Sequence, residues 1–324
     1  MQISRRTLLA SAVSGIAFPH KAMADVWDPP VPEREWHIPV RGGRIYVRAN
    51  GGILDRGAPV VIIHGGPGAS HAYLLATLQL ARDRAVILYD QLDSGLSDHP
   101  DDPDNWTVER FVSELDAIRA ALDIQRFHLV GHSWGSAIAI QHAARRPKGL
   151  VSLTLGSPFV SARSWVASLR SQLATLPESM QNAILRHDAG ETIDDSGYRD
   201  AISTFNRRFV VRHPEPAYVT AYRRRIGVTD NATLAETMFG PGDIAVTGKL
   251  RDYDSEPLLS RIKVPTLMVC GQYDEMTPAS ATHLARRLPN SRLGTISDAG
   301  HLTPLDQPDL FVAALRTHLR KADA

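Results

Sequence analysis

The chain has 324 residues, of which 43% are hydrophobic and 22% are charged, values that are ordinary for a globular enzyme. Its formal net charge is +1, so the composition excludes a strongly basic protein and indicates no nucleic-acid partner. The single cysteine, Cys270, excludes an intramolecular disulfide and a thiolate metal cluster. Because Cys270 ends an apolar run, we expect it to be buried in the core.

The first residues have the features of a secretion signal. Arg5 and Arg6 precede a short apolar run over 8–18, and Ala22-Met23-Ala24 follows as a small-x-small cleavage pattern. This order predicts a twin-arginine signal peptide over residues 1–24 and a periplasmic or secreted protein. The apolar run is too short to span a bilayer, so we expect no stable membrane insertion after cleavage. The alternative is an uncleaved cytosolic extension.

The next elements alternate between strands and helices. Two runs that flank Gly42-Gly43, 36–40 and 44–48, predict a β-hairpin. Short apolar runs typical of strands buried on both faces follow at 60–63, 85–89, 127–130, 151–155 and 266–269, with a weaker one at 292–296. Helical patterns lie at 108–122, 136–144, 279–288 and 308–319. This alternation predicts an α/β fold with a mostly parallel central sheet flanked by helices.

One segment interrupts the alternation. From about Phe159 to Arg251 there is no clear buried strand, and sheet-type patterns resume at Ile262. We therefore predict a core whose first part is 25–158, a helical cap over 159–255, and a second core part over 256–324. A cap inserted there would cover the carboxyl edge of the sheet, where open α/β sheets bind ligands.

The strongest chemical motif is Gly131-His132-Ser133-Trp134-Gly135, between a predicted strand and a predicted helix. In this context the pattern G-x-S-x-G resembles the nucleophile turn of the α/β-hydrolase fold. The turn must be sharp for the serine hydroxyl to stand clear of the backbone, and the glycines leave room for it. We therefore predict that Ser133 is a catalytic nucleophile.

Two further residues complete a serine-hydrolase triad. Asp274 follows a late predicted strand and His301 follows the last one, which matches the chain order Ser, Asp, His of this fold. We expect His301 to act as the general base and Asp274 to orient its imidazole. Glu275 and Asp298 are neighbouring carboxylates that could compete with Asp274, and we rank both below it.

A glycine-rich loop follows an earlier strand as His64-Gly65-Gly66-Pro67-Gly68. Acyl transfer needs two donors for the developing oxyanion. We predict the backbone N–H of Trp134 as one donor and that of Gly65 or Gly66 as the other, with His64 in a structural hydrogen-bonding role. The sequence contains no H-E-x-x-H pattern, P-loop or dinucleotide fingerprint, so we expect no metal site and no cofactor.

These residues resemble the proline iminopeptidases and related amino acid amidases, serine peptidases of the α/β-hydrolase superfamily, over roughly residues 36–318. The likeness rests on the glycine-rich loop and the serine motif, and on Tyr89-Asp90-Gln91, Gly95 and Ser97, Gly240-Pro241, Gly248-Lys249-Leu250, Tyr253-Asp254, Gly271-Gln272-Tyr273-Asp274 and Gly300-His301-Leu302-Thr303. It implies release of an N-terminal residue, preferably proline, from short peptides or amides.

The resemblance also implies that acidic cap residues bind the free α-amine of the substrate. Asp243 fills one such place in Phe239-Gly240-Pro241-Gly242-Asp243, where the family pattern is Asn-Gly-Pro-Asn-Glu, and Glu215 is a weaker second candidate. Asp93 is another departure, since the family more often has glycine there. These departures concern the preference for proline and leave the hydrolase chemistry unchanged.

The predicted partner is therefore a small molecule or short peptide with a free N-terminal amine, cleaved by an aminopeptidase or amidase. An esterase or lactonase that uses the same triad is the alternative. A non-enzymatic binding protein on a hydrolase scaffold is a third hypothesis, and the complete set of Ser133, His301 and Asp274 argues against it.

Overall fold

The computed structural model describes residues 27–52, 57–190 and 196–324, so the predicted signal peptide lies outside the described residues. Their strands form one sheet of 8 strands in the order β1-β2-β4-β3-β5-β6-β7-β8. The strands are β1 Arg34–Val40, β2 Gly43–Asn50, β3 Val60–Ile63, β4 Val86–Tyr89, β5 Phe127–His132, β6 Leu150–Gly156, β7 Thr266–Gly271 and β8 Ser291–Ile296. Every strand predicted from the sequence is present.

The sheet is mostly parallel. β1 pairs antiparallel with β2 through the predicted hairpin, and β2 pairs antiparallel with β4. All other neighbouring strands are parallel. Parallel neighbours require crossover connections, and these supply the helices that cover both faces of the sheet. The predicted α/β fold class is confirmed.

The α-helices are α1 Val108–Ala121, α2 Trp134–Ala144, α3 Ala162–Leu173, α4 Glu178–Asp188, α5 Ser196–Phe205, α6 Ala217–Ile226, α7 Ala232–Phe239, α8 Pro278–Ala285, α9 Thr303–Asp306 and α10 Pro308–Asp323. Three 3₁₀ helices span His71–Arg82, Pro103–Asn105 and Glu256–Arg261, and a π-helical turn spans Asn206–Val210. The Thr107 side chain accepts a hydrogen bond from the Arg110 N–H and so caps α1. Helix α2 begins two residues before its predicted start because it follows Ser133 directly.

The core lies on both faces of the sheet. Val61 and Ile63 of β3 pack into one apolar cluster, and Val60 and Ile62 pack into the other. Because successive side chains of a strand point to opposite faces, a strand covered on both sides must be apolar throughout. This is the physical reason for the unbroken apolar runs in the sequence. Cys270 is fully buried in the first cluster, as predicted.

Helices α3 to α7 lie in the chain between β6 and β7, the region predicted as the cap. This region is bonded to loops at the carboxyl ends of the strands: Asn231 N–H donates to the Gly68 carbonyl, and His301 N–H donates to the Phe209 carbonyl. The domain boundaries at residues 159 and 255 stay a prediction. Among the described residues, no helix has the length and apolarity needed to cross a membrane.

Candidate active site

Ser133 occupies the sharp turn between β5 and α2. Its backbone has φ 54° and ψ −124°, a conformation that is rare for a residue with a side chain. The turn leaves no room beside the serine, since a Cβ on Gly131 would lie 2.4 Å from the Gly135 carbonyl oxygen. The Ser133 N–H donates to the Gly156 carbonyl at 2.8 Å, which ties the turn to β6. The hydroxyl consequently stands at the carboxyl edge of the sheet.

The structure brings Ser133, His301 and Asp274 together. His301 Nε2 lies 2.9 Å from Ser133 Oγ, and His301 Nδ1 lies 2.9 Å from Asp274 Oδ1. A carboxylate can only accept, so Nδ1 carries the proton and Nε2 accepts from the serine hydroxyl. Burial lowers the pKa of His301, but the charge and hydrogen bond of Asp274, with the Glu275 charge, outweigh it and raise the pKa overall. This arrangement suits His301 to take a proton from Ser133.

The Asp274 carboxylate is fully buried and held by several donors. Its Oδ2 accepts hydrogen bonds from the Ser157 hydroxyl at 2.5 Å and from the Gly271 N–H at 3.1 Å, and its Oδ1 accepts from the Met276 N–H at 2.9 Å. Ser157 belongs to none of the sequence motifs described above. Its position could have been predicted, because it is the first polar residue after β6, at the edge of the sheet where Ser133 and His301 also lie.

The two rival carboxylates lie in different places. Glu275 Oε2 is 3.7 Å from His301 Nδ1, whereas Asp298 is paired with Arg212 and His213. Burial raises the pKa of Glu275 to about 7. The attraction of His301 acts against this rise, and the negative charges of Asp274 and Asp243 add to it. The Glu275 backbone carbonyl accepts from the Ser168 hydroxyl, but its carboxylate accepts no hydrogen bond from the described residues. Asp274 therefore keeps the orienting position, and Glu275 is a second, less firmly held carboxylate at its side.

The two candidate glycines of the oxyanion loop differ in their backbone bonds. The Gly65 N–H donates to the Tyr73 hydroxyl at 2.6 Å and is not free for a substrate oxygen. Neither the Gly66 N–H nor the Trp134 N–H has a partner in the described part of the chain. A Cβ on Gly65 would lie 2.9 Å from the Ser133 Cβ, so this position requires glycine for close approach. Of the two candidate oxyanion donors in this loop, the backbone N–H of Gly66 is therefore the one that is free among the described residues.

His132 and Tyr73 connect this loop with the loop of His301. Tyr73 Oη lies 3.0 Å from His132 Nδ1, and His132 Nε2 lies 3.1 Å from the His301 carbonyl oxygen. Burial, with the nearby His301, lowers the pKa of His132 to about 3, so its ring is neutral at neutral pH. A neutral ring donates from Nε2 and accepts from the Tyr73 hydroxyl at Nδ1. No sequence pattern identified Tyr73, which lies within a 3₁₀ helix.

Asp243 lies in the region predicted as the cap, where its carboxylate contacts two neighbouring side chains. Its Oδ2 accepts a hydrogen bond from the Tyr198 hydroxyl at 2.9 Å, and His187 Nδ1 lies 3.7 Å away. Burial raises the pKa of Asp243, as does the Asp188 charge, although the Tyr198 hydrogen bond opposes the rise. The Asp243 charge also raises the pKa of Glu275, so these two carboxylates share one region.

Glu215, the second candidate for amine binding, is not brought to the triad. Its carboxylate accepts from Thr220 Oγ1 at 2.8 Å and lies 3.7 Å from Arg223 Nε, both on α6. These contacts give Glu215 a local role at the start of that helix.

Two departures from the family pattern have structural explanations. Asp93 adopts φ 63°, a conformation that favours glycine, and its carboxylate accepts from the Trp106 indole and from the Asp101 N–H.

Phe239, the second departure, packs on Phe159 with ring centroids 4.9 Å apart, and Phe159 also contacts Trp165. Trp165 in turn lies edge-on to the His301 ring at 5.4 Å. The wall beside His301 is therefore aromatic.

Two clusters of described residues have donor atoms close enough for a metal ion, Asp93-His99-Asp101 and His187-Asp188-Asp243. Their carboxylates already serve the fold. Asp188 accepts three backbone N–H bonds from residues 243–245, and Asp93 accepts the two bonds given above. We therefore assign neither cluster to a metal.

The proton chemistry of the site can be measured directly. Histidine ring NMR should give His301 a pKa above the ordinary 6.5, and Asp274→Asn should lower it because burial then acts with less opposition. His132 is the internal control, since its ring should stay unprotonated down to about pH 3 in both proteins. An unchanged His301 pKa in Asp274→Asn would contradict the assigned pairing. A His301→Gln variant identifies the signal.

Known proteins match this chain along most of its length. The family described as alpha/beta hydrolase fold matches residues 58–308. The proline iminopeptidase of Heyndrickxia coagulans is 35% identical over 289 residues, which cover 87% of this chain and 96% of that protein. The crystal structure of the proline iminopeptidase of Mycobacterium smegmatis is 32% identical, with a TM-score of 0.79, covering 90% of this chain and 99% of that one. The crystal structure of VinJ is 35% identical, with a TM-score of 0.82, over 90% of this chain and all (100%) of that one. The chain is therefore a hydrolase that belongs to the proline iminopeptidase family of the α/β-hydrolase fold.

Proposed function

We propose that this protein releases an N-terminal amino acid, proline or a small residue, from short peptides or amino acid amides. Ser133 is the nucleophile, His301 the general base and acid, and Asp274 the residue that orients His301. The observation that carries this proposal is the continuous hydrogen-bond chain from Asp274 through His301 to Ser133, with both distances 2.9 Å. Two partly buried carboxylates beside that chain, Glu275 and Asp243, support specificity for a free amine.

In the first half of the reaction, Ser133 Oγ attacks the substrate carbonyl carbon while His301 Nε2 takes the hydroxyl proton. The carbonyl oxygen becomes an oxyanion, which the N–H groups of Trp134 and Gly66 stabilise. His301 then gives its proton to the leaving amine, and the carbon–nitrogen bond breaks to leave an acyl-enzyme. Water, activated by His301, hydrolyses the ester and restores Ser133.

The free amine of the substrate explains why carboxylates line the site. An α-ammonium group that leaves water needs a charged partner, because its desolvation otherwise costs several kcal/mol. Glu275 lies next to His301, and Asp243 is close enough for its charge to act on Glu275, so we assign both to the binding of the substrate amine. Glu215, whose carboxylate is bonded to a side chain of α6, has no part in this proposal.

Amine recognition is tested with two matched substrates, an alanine or proline arylamide and its N-acetylated form. Glu275→Gln and Asp243→Asn should each lower kcat/KM for the free-amine substrate by about 10- to 100-fold, the effect of losing a hydrogen bond to a charged group. Their effect on the acetylated substrate should be small. Glu215→Gln is the matched control and should change neither, and Ser133→Ala gives the background rate.

Equal losses on both substrates in Glu275→Gln would remove its role in amine binding. A wild-type enzyme that is indifferent to acetylation and prefers esters would support the esterase or lactonase alternative instead.

The pH dependence of KM follows from the same carboxylates. Glu275, with a pKa of about 7, is protonated and uncharged at lower pH and ionised at higher pH. A free α-amino group loses its charge near pH 7.7–8.0. KM for the free-amine substrate should therefore be lowest at about pH 7–8 and rise on both sides, whereas KM for the acetylated substrate should not show this minimum. In Glu275→Gln the rise of KM on the acid side should weaken, and an unchanged profile would contradict the assignment.

We also propose that the twin-arginine pathway exports the protein and that cleavage follows Ala24. The support is the order of Arg5-Arg6, the short apolar run and the small-x-small pattern. In a bacterium with that pathway, Arg5→Lys with Arg6→Lys should retain the full-length chain in the cytoplasm, while the parent is recovered outside it with Asp25 as its first residue. Export of the double variant at the parental level would refute the route. N-terminal mass measurement checks the cleavage site.

A further inference from the structure

The family-type motif Tyr89-Asp90-Gln91 has no part in the chemistry derived above, yet Gln91 is fully buried beside the proposed oxyanion site. Its side chain bridges two separate segments. Nε2 donates to the His64 carbonyl at 2.9 Å, and Oε1 accepts from the Trp134 indole Nε1 at 2.9 Å. A carbonyl can only accept and an indole N–H can only donate, so these partners fix the orientation of the Gln91 amide.

The two segments that Gln91 joins are those that carry the proposed oxyanion donors. Trp134 supplies one backbone N–H and is held through its indole. His64 immediately precedes Gly65 and Gly66, and Gly66 supplies the other backbone N–H. These donors follow different strands, since Trp134 begins α2 after β5 and Gly66 lies in the loop after β3, so contacts between the two segments help to set their spacing.

The Gln91 backbone adds a second constraint. Its N–H donates to His64 Nε2 at 3.0 Å, so the proton of the neutral His64 ring is on Nδ1, which donates to the Gly65 carbonyl at 2.8 Å. That carbonyl and the Gly66 N–H belong to one planar trans peptide unit and point in opposite directions. A carbonyl held toward His64 therefore aims the Gly66 N–H away from it.

We propose that Gln91 is a positioning residue that sets the distance and direction between the Trp134 and Gly66 N–H groups. This inference rests on the proposed roles of Ser133 and of the two donors. Oxyanion donors act only on the charge that develops in the transition state, so their misalignment lowers kcat and leaves KM nearly unchanged.

The test uses Gln91→Met, which keeps the length of the side chain and removes both hydrogen bonds, together with Trp134→Phe, which removes the indole N–H and keeps the backbone donor. Each should lower kcat by about 10- to 100-fold, less than the 10²–10³-fold cost of losing a donor entirely. The double variant should have the same kcat as the less active of the two single variants, because both substitutions break the same hydrogen-bonded bridge. Gln181→Met, which removes a glutamine bond to the Leu176 carbonyl in the cap, is the matched control and should leave kcat unchanged.

The same variants are measured by their second-order rate of phosphonylation with a fluorophosphonate, which requires Ser133 and the oxyanion donors but no substrate amine. If the wild type reacts with this probe and does not cleave aminoacyl arylamides, the proposed aminopeptidase function fails while the Gln91 inference is still decided by the probe rates. If Gln91→Met does not fold, Gln91→Glu replaces it in the test. This variant keeps the oxygen that accepts from the Trp134 indole, and it breaks the bond to the His64 carbonyl by placing a second oxygen there. Values of kcat and phosphonylation rate within about twofold of wild type, losses confined to KM, or additive losses in the double variant would each overturn the inference.

Discussion

The turn at Ser133 is the constraint on which the site depends. A left-handed serine between a strand and a helix is strained, and it persists only where the surroundings hold it. The Ser133 N–H is bonded to β6, and its carbonyl accepts from the Ser136 and Phe159 N–H groups, so both sides of the turn are fixed. Because the chain reverses here without side chains at Gly131 and Gly135, β5 can deliver the hydroxyl to the sheet edge and start α2 at once. The free N–H of Trp134 is a direct result.

The same edge is held from above by the cap. The carbonyls of Phe209 and Val210, in the π-helical turn, accept from the N–H groups of His301 and Leu302. Asp306 adds a bridge: one oxygen accepts from the Gly300 N–H and the other from the Arg212 and His213 N–H groups. The backbone of the histidine loop is therefore shared between core and cap. Phe209 and Val210 end this helical segment, and carbonyls at the end of a helix lack intrahelical partners, so they can accept these bonds.

Much of this arrangement could be predicted from the sequence. The unbroken apolar runs gave the strands, and the residues that follow them identified Ser133, Asp274 and His301, because strand ends in a parallel sheet meet at one edge. Contacts between loops could not be predicted in this way. Nothing local distinguishes the N–H of Gly65 from that of Gly66, since the difference is made by Tyr73, and nothing local pairs Gln91 with Trp134. Glu215 shows the same limit, because its position in the sequence does not reveal the contacts that its carboxylate makes with Arg223 and Thr220.

Asp274 and Glu275 show how tertiary structure separates two adjacent carboxylates. Asp274 is surrounded by donors from Ser157, Gly271 and Met276. The Glu275 carboxylate is partly buried beside His301, accepts no hydrogen bond from the part of the chain that the structure describes, and has a pKa that burial raises to about 7. A carboxylate taken out of water without hydrogen-bond donors is disfavoured in its ionised form, and the nearby His301 ring offsets this only in part. An incoming ammonium group would supply the missing partner, and the energy of that pairing would be gained only by substrates that carry a free amine. Under the proposed function, the same burial that raises the pKa of Glu275 would make the site selective, because a blocked amine brings no charge to pair with it.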